Sequence, residues 1–183
     1  MLIAATAVVT QTSASSAAAA VPAVVTAAGE TSASLVGAGP FGAQAVTLRR
    51  LKSVATGFCV DDSIEGLRHW TCQDRHGKYA DFQKFELTQF IGETYTLRNR
   101  ATGLCMDDSN ANLRHFHCHE QSSPYAHFQR WSRWKNDDGT YGFRNWATDR
   151  CLDDSLGANL RTFQCHPPEG DFSNFQKFIL DSY

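Results

Sequence analysis

The first 48 residues contain no lysine or arginine, although the whole chain of 183 residues has 17 of these basic residues. Glu30 is the only charged residue before Arg49. Over the full chain, 17 basic residues nearly balance 19 acidic ones, so no strong field attracts nucleic acid or an anionic membrane surface. No apolar run reaches the ~20 residues that a membrane-spanning helix requires. The composition therefore argues against a nucleic-acid-binding protein and against a membrane span.

The uncharged N-terminal extension divides into two segments of different character. Residues 1–20 have an apolar run followed by small residues, which is typical of a secretory signal peptide. Because no basic residue precedes the apolar run, either translation starts upstream of Met1 or the segment is not a signal peptide. Residues 21–45 are rich in Ala, Val, Ser, Thr and Gly. This composition fits a flexible linker or a tail that binds a partner protein.

A segment of about 46 residues occurs three times after this extension, over residues 46–90, 91–137 and 138–183. Each copy has a Cys-x-Asp-Asp-Ser motif, a Leu-Arg pair, a second Cys and an aromatic–Gln–basic–aromatic unit. No stretch shows a helical period, and turn residues such as Gly57 separate short apolar segments. Three copies are too few to close a propeller. We therefore predict an all-β fold with about four strands per copy and a closed barrel of threefold pseudosymmetry.

The repeated motif resembles a known family. The triplicated Cys-x-Asp, with a second Cys 13 or 14 residues later and a terminal Gln-x-aromatic unit, is similar to the β-trefoil of ricin-B-type lectins of the actinomycete secreted type. The resemblance covers about residues 46–183. It implies a β-trefoil with three pseudosymmetric repeats, preceded here by the Ala-rich extension, and it implies carbohydrate binding.

The six cysteines fall as one pair per repeat. Six cysteines allow 15 pairings, and the pseudosymmetry of the repeats favours one bridge in each copy. The expected bridges are Cys59–Cys72, Cys105–Cys118 and Cys151–Cys165. A metal site is a poor alternative because the chain has no close Cys-x-x-Cys spacing. Disulfides indicate an oxidising compartment, so we expect a secreted, extracellular protein.

One acid of each repeat is the main candidate for sugar binding. In the lectin family, the acid directly after Cys-x accepts hydrogen bonds from sugar hydroxyls. In this chain these first acids are Asp61, Asp107 and Asp153. Because neighbouring side chains of a strand face opposite ways, we expect them to point away from the barrel. They could equally cap backbone amides of a turn.

The acids one position later have a different expected role. These second acids are Asp62, Asp108 and Asp154. We expect them to be turn residues or ion-pair partners of the arginine in each Leu-Arg pair.

The other positions of the family site are altered in this sequence. The resemblance places one position on the repeated arginines, Arg68, Arg114 and Arg161. It places a second on Gln73, His119 and His166, and a third on Phe82, Phe128 and Phe175. An arginine could replace a sugar platform, or it could pair with the doubled aspartates.

Two further sets of repeated residues are interpreted as structural. The family role of the glutamine is to satisfy backbone groups, which we assign to Gln83, Gln129 and Gln176. The aromatic residue two positions before each second Cys is expected to lie in the core. These residues are Trp70, Phe116 and Phe163.

The sequence favours neither a metal site nor catalysis. His115, His117 and His119 would share one face of a continuous strand, where a solvated or glycan-contacting surface is expected rather than a metal site. No nucleophile pattern is present once all cysteines are paired, and adjacent Asp-Asp side chains point apart. We expect no cofactor and no enzymatic activity.

The sequence thus predicts a secreted recognition module that binds a glycan or a glycosylated surface through up to three sites. The alternative is a bridging or adaptor subunit of a secreted complex. An actinomycete umbrella-like toxin particle is one such complex that the chain resembles in general character. In that case residues 21–45 and the trefoil would dock other secreted proteins.

Overall fold

A computed structural model describes residues 44–183. The expectations for residues 1–20 lie outside the described residues, as do those for the tail up to residue 43. Among the described residues, no helix is long and apolar enough to cross a membrane.

The described chain consists of twelve short strands and three single-turn 3₁₀ helices. The first repeat contains β1 (Val46–Ser53), β2 (Cys59–Ser63), β3 (Gly66–Trp70) and β4 (Phe85–Ile91). The second contains β5 (Thr94–Asn99), β6 (Cys105–Ser109), β7 (Asn112–Phe116) and β8 (Trp131–Lys135). The third contains β9 (Tyr141–Asn145), β10 (Cys151–Ser155), β11 (Asn159–Phe163) and β12 (Phe178–Ser182). The 3₁₀ helices precede the last strand of each repeat, at Ala80–Gln83, Ala126–Gln129 and Ser173–Gln176.

Six of the strands close a barrel. Antiparallel pairs join the strands in the order β1, β4, β5, β8, β9 and β12, and β12 pairs again with β1. Closure leaves no open edge in the ring, which removes a template for aggregation. The remaining strands form three hairpins, β2–β3, β6–β7 and β10–β11, which contact one another at one end of the barrel. This arrangement is a β-trefoil, and the predicted fold class is confirmed.

The core follows from the alternation of each strand. The first strand of each hairpin buries one apolar side chain in the core. These side chains are Val60, Met106 and Leu152. The strands that follow the 3₁₀ helices bury Phe85, Trp131 and Phe178, all with no exposed surface. Each fully buried side chain of this size contributes about 1.5–3 kcal/mol through removal of apolar surface from water. The apolar positions of the motif therefore hold the barrel closed.

One disulfide in each repeat connects the hairpin to the loop that follows it. The bridges are Cys59–Cys72, Cys105–Cys118 and Cys151–Cys165, with Cα–Cα distances of 5.0 Å. The predicted pairing within repeats is confirmed. Each bridge fixes the segment that leads from the second hairpin strand to the 3₁₀ helix, and this segment forms one wall of the site described below.

Candidate functional site

Each first acid forms an ion pair with the arginine directly opposite it in the hairpin. The antiparallel register sets Asp61 against Arg68, and the same pairing recurs in the other two repeats. The arginine Nε donates to the aspartate Oδ1 over 3.1, 2.9 and 3.0 Å in the three repeats. All three carboxylates are buried, whereas the guanidinium groups remain partly exposed. The first acids thus lie in the first strand of each hairpin, buried beneath an arginine.

An aromatic side chain lies against each of these arginines. Trp70, Phe116 and Phe163 are two residues beyond the arginine on the same strand and so share its face. The guanidinium carbon is 4.3–4.4 Å from the aromatic ring centre in all three repeats. Trp70 is 49% exposed, and the other two rings are also exposed. The prediction that these stacking aromatics belong to the core is wrong, because the core side of each hairpin is the opposite face.

A buried glutamine forms the floor of each site. In the first repeat, Gln83 Oε1 accepts from the backbone N–H of Gln73 over 2.9 Å, and its Nε2 donates to the Thr71 carbonyl over 3.0 Å. The same two backbone bonds recur for Gln129 and Gln176. These glutamines therefore hold the loop after the second hairpin strand, in line with the structural role expected for them.

The glutamine contact to the first acid differs among the repeats. Gln83 Nε2 also donates to Asp61 Oδ2 over 3.3 Å, and Gln176 Nε2 donates to Asp153 Oδ2 over 3.2 Å. In the second repeat, Asp107 Oδ2 is buried and has no hydrogen-bond partner among residues 44–183. A buried acceptor without a donor costs about 1–3 kcal/mol, and more when it is charged. The second site therefore contains an unsatisfied carboxylate oxygen.

The 3₁₀ helix supplies the far wall of each site with two aromatic side chains. One is the predicted phenylalanine, Phe82, Phe128 or Phe175, which is partly buried. The other precedes the helix and was missed by sequence reasoning: Tyr79, Tyr125 and Phe172. Tyr125 is 61% exposed, and the other two are similarly open to solvent. The signal was present, because an aromatic residue stands three positions before the phenylalanine in every copy.

The Gln73, His119 and His166 positions lie between the two aromatic walls. His119 contacts the rings of Phe116 and Tyr125, with centroid distances of 5.5 and 5.8 Å. His166 lies between the equivalent rings of the third repeat, and its Nε2 is 3.9 Å from Asp153 Oδ2. In the third repeat, the imidazole thus lies close to the aspartate of its own site. The contacts of the residue at this position therefore differ among the repeats.

Two of the sites are open cavities lined by the predicted residues. The first cavity, of about 290 Å³, is lined by Asp61, Ser63, Arg68, Trp70, Gln73, Tyr79 and Phe82. The second, of about 490 Å³, is lined by Asp107, Ser109, Asn110, Ala111, Arg114, Phe116, His119, Tyr125 and Phe128. Every candidate binding residue of the first two repeats therefore lies in the cavity of its own repeat.

The second acids do not pair with the repeated arginines, so that alternative of the sequence interpretation is wrong. Each one points across a repeat boundary. Asp62 contacts His115 Nδ1 over 2.5 Å, Asp154 contacts His69, and Asp108 accepts from Arg150 over 2.6 Å. Burial raises the pKa of Asp62, and hydrogen bonds from Thr102 and His115 partly oppose this rise. The second acids thus connect the repeats rather than lining the sites.

The three alternating histidines do not share a face. β7 ends at Phe116, so strand alternation stops before His117. His115 contacts Asp62 at a repeat boundary, the His117 carbonyl accepts from Gln129, and His119 lines the second site. The expectation of one common surface is therefore wrong, and only His119 belongs to the candidate site.

Comparison with known families defines the class of protein. A family model described as ricin-type beta-trefoil lectin domain-like matches residues 81–162. The match spans the second hairpin, the second site and most of the third hairpin. Together with the closed barrel and the three hairpins, it shows that residues 81–162 are similar to a ricin-type, lectin-like domain within a β-trefoil fold.

Solved structures of other proteins share this fold. The designed threefold-symmetric protein ThreeFoil is 17% identical, with a TM-score of 0.58 over 74% of this chain and 99% of that one. A Polyporus squamosus lectin, solved with a human-type influenza-binding epitope, is 12% identical, with a TM-score of 0.59 over 77% of this chain and 50% of that one. At these identities the likeness shows the fold alone.

A third similar structure is part of a larger enzyme. The GlcNAcα1-4Gal-releasing endo-β-galactosidase of Clostridium perfringens is 13% identical, with a TM-score of 0.61 over 75% of this chain. The alignment covers only 32% of that enzyme. No protein of curated function matches the chain in sequence.

Proposed function

We propose that this protein is a secreted, non-catalytic module that binds carbohydrate through the sites of its first acids. The observation that carries the proposal is a cavity of about 490 Å³ in the second repeat, which combines the Asp107–Arg114 ion pair with the exposed rings of Phe116 and Tyr125. Asp107 Oδ2 is buried, and the carboxylate supports the site by holding Arg114 through Oδ1 over 2.9 Å. A sugar hydroxyl can accept instead from the partly exposed guanidinium of Arg114.

The surroundings of Asp107 suit a polyhydroxylated ligand. Arg114 uses only its Nε–H on Asp107, so its terminal N–H groups can donate to ligand hydroxyls. Phe116 and Tyr125 present exposed ring surface on either side of the cavity. Small-molecule sites commonly combine apolar walls with a few polar groups that fix orientation. A sugar offers both an apolar ring face and hydroxyls to such a site.

Two open sites of this kind, and an equivalent set of residues in the third repeat, lie on one barrel and favour binding to surfaces. The sites are open and partly exposed, so a single contact is expected to be weak. Linked sites gain avidity of ~10²–10⁴ when their spacing matches that of the ligands. A glycosylated surface presents many copies of one sugar, and it would therefore be held more tightly than a free sugar. The three disulfides support export to an oxidising compartment.

The arrangement of the acids supports a binding role over catalysis. Asp107 pairs with Arg114 within its own hairpin, whereas the adjacent Asp108 pairs with Arg150 of the next repeat. The two carboxylates therefore belong to separate networks and do not face one another across a cavity. Glycoside hydrolysis uses two carboxyl groups that flank the scissile bond.

A glycan microarray followed by titration tests the proposal. The wild-type protein should bind a defined group of glycans on the array. The selected sugar should then shift the backbone amide resonance of His119 in a ¹⁵N spectrum. Asp107→Asn should weaken binding at this site by tenfold or more, about 1.4 kcal/mol. Asp137→Asn, in an exposed turn, is the matched control and should bind as the wild type does.

Two results would overturn the proposal. One is the absence of any bound glycan for the folded wild-type protein. The other is unchanged affinity at the second site in a folded Asp107→Asn variant, since the ion pair that holds Arg114 would then play no part in binding.

A further inference from the structure

The first site borders a second and larger cavity. This neighbouring cavity has a volume of about 610 Å³, compared with about 290 Å³ for the first site. Arg68 and Trp70 line both cavities. The two spaces are therefore separated only by these two partly exposed side chains.

The neighbouring cavity lies at the boundary between the first and third repeats, and we call it the junction cavity. Besides Arg68, Trp70 and Leu67, its walls are Phe58, His69, Thr71, Ala158, Asn159 and Leu160. The last three come from the third hairpin, so the cavity exists only where two repeats meet. Exposed ring and aliphatic surface alternates there with hydroxyl, amide and guanidinium groups.

The equivalent position between the second and third repeats carries a filling side chain. Arg150 stands where the first repeat has Phe58. Its guanidinium donates to Asp108 Oδ1 over 2.6 Å, to the Ser109 carbonyl over 2.8 Å and to Asn112 Oδ1 over 3.4 Å. Arg150 therefore occupies the space between these hairpins. Phe58 instead packs against His69, with a centroid distance of 4.9 Å, and the space beyond it stays open.

We propose that the first site binds an oligosaccharide that crosses Trp70, with one sugar at Asp61 and the next in the junction cavity. The proposal rests on the proposed carbohydrate binding and assigns a longer substrate to one of the three sites. The exposed indole of Trp70 offers apolar surface beside both cavities, and Arg68 can donate to hydroxyls in either one. The second site, which is bordered by Phe116, then binds a single terminal sugar.

Chain length of the ligand is the first variable of the test. The probes are D-mannose, D-galactose and N-acetylglucosamine, each with its linear disaccharide and tetrasaccharide. Amide resonances in the ¹⁵N spectrum of the full chain separate the cavities, since Gln73 reports the first site and Asn159 reports the junction cavity. The monosaccharide should shift the amide resonance of Gln73 and leave that of Asn159 unchanged. The matching oligosaccharide should shift Gln73 and Asn159 together and bind about tenfold more tightly at this site.

Phe58→Arg is the decisive variant because it copies the side chain that fills the equivalent space in the third repeat. It should remove the tenfold gain from chain length and leave the monosaccharide affinity at Gln73 unchanged. Ile91→Arg makes a similar change at an exposed position that lines neither cavity, and it should leave the first site as in the wild type. If Phe58→Arg does not fold, Ala158→Phe narrows the cavity from its opposite wall and should give the same loss.

The outcomes separate this proposal from the one on which it rests. If no sugar shifts Gln73, His119 or His166, carbohydrate binding itself is overturned. If the sugars shift these amides but the oligosaccharide leaves Asn159 unmoved, or gains no affinity over the monosaccharide, only the extended site is overturned. A gain that persists in folded Phe58→Arg or Ala158→Phe would also overturn it.

Discussion

Thr102 of the second repeat donates its hydroxyl to the Asp62 carboxylate of the first repeat over 2.5 Å. The same contact joins Thr148 to Asp108 and Thr56 to Asp154. Three equivalent bonds thus form a ring that crosses every repeat boundary. The ring holds the hairpins in fixed relative positions, and the candidate sites are built on the outer faces of those hairpins.

The ring carries different partners at its three boundaries. His115 and His69 complete the contacts of Asp62 and Asp154, whereas Asp108 is completed by Thr162 and Arg150. The third repeat thus combines a neutral threonine with an arginine, where the other two repeats use a histidine.

The ion pair of Asp108 makes this carboxylate the strongest stability determinant of the ring. Asp108→Asn leaves the partly buried Arg150 without its counter-charge. We expect a loss of about 3–5 kcal/mol in the free energy of unfolding, measured by denaturant titration. Glu86→Gln, which breaks the exposed pair with Arg98, is the matched control and should cost less than about 1 kcal/mol. Equal losses in both variants would contradict a buried ring.

The disulfides predict a second loss of stability. Replacing Cys151 and Cys165 together by alanine opens a loop of 14 residues' separation. The chain-entropy model predicts a loss of about 3 kcal/mol. The free energy of unfolding under non-reducing conditions measures this loss. The variant should keep the trefoil spectrum, because the ring and the core remain, and a loss of the folded state would show that the bridge is required to form the barrel.

The stacking aromatics predict a separation of stability from binding. Phe116→Ala should weaken sugar binding at the second site, because it removes one wall and the stack on Arg114. Since the ring is exposed, the cost in stability should stay near 1 kcal/mol, the usual size for a point substitution. Phe143→Ala, a core control with no exposed surface, should cost about 3–5 kcal/mol. A comparable loss of stability in both variants would place Phe116 in the core after all.

Acid titration provides a prediction for the third repeat. Hydrogen bonds from the Thr140 hydroxyl and backbone, and then from Lys177, lower the pKa of Asp138 to about 2. Because the folded-state pKa lies below the unfolded value of 3.8, the contribution to stability is present above pH 3.8 and is lost as the pH falls towards 2. Asp138 is exposed, so the contribution should stay below about 1 kcal/mol.

The Asp138 prediction is checked by comparing wild type with Asp138→Asn at pH 6 and pH 2.5. The difference in free energy of unfolding should be largest at pH 6 and should shrink at pH 2.5. A difference that grows as the pH falls would show that the sign is wrong.

The sequence predicted the fold because the repeats constrain it from several sides. Three matched Cys pairs, three buried glutamines and one aromatic per closing strand are local features, and each recurs at a fixed spacing. The contacts of the second acids could not be predicted in this way. Asp62 meets Thr102 and His115, which lie 40 and 53 residues away in the next repeat, and spacing within one repeat carries no information on such a contact.

The error over the stacking aromatics had a different origin. Trp70 is large and apolar, and residue type alone assigns it to the core. Strand alternation assigns it to the same face as Arg68, two residues earlier, and the structure follows the alternation. Tyr125 was overlooked because it lies outside any strand, at the start of a single-turn helix whose position follows from the disulfide and the buried glutamine.

A crystal structure of the protein with the best-binding glycan is the most direct test of carbohydrate binding at the first acids. The account predicts a sugar hydroxyl within hydrogen-bond distance of the Arg114 guanidinium, about 2.7–3.2 Å for an N–H···O bond. The sugar ring should lie between Phe116 and Tyr125. A glycan bound elsewhere, with the Arg114 guanidinium left in contact only with water or protein, would contradict the account.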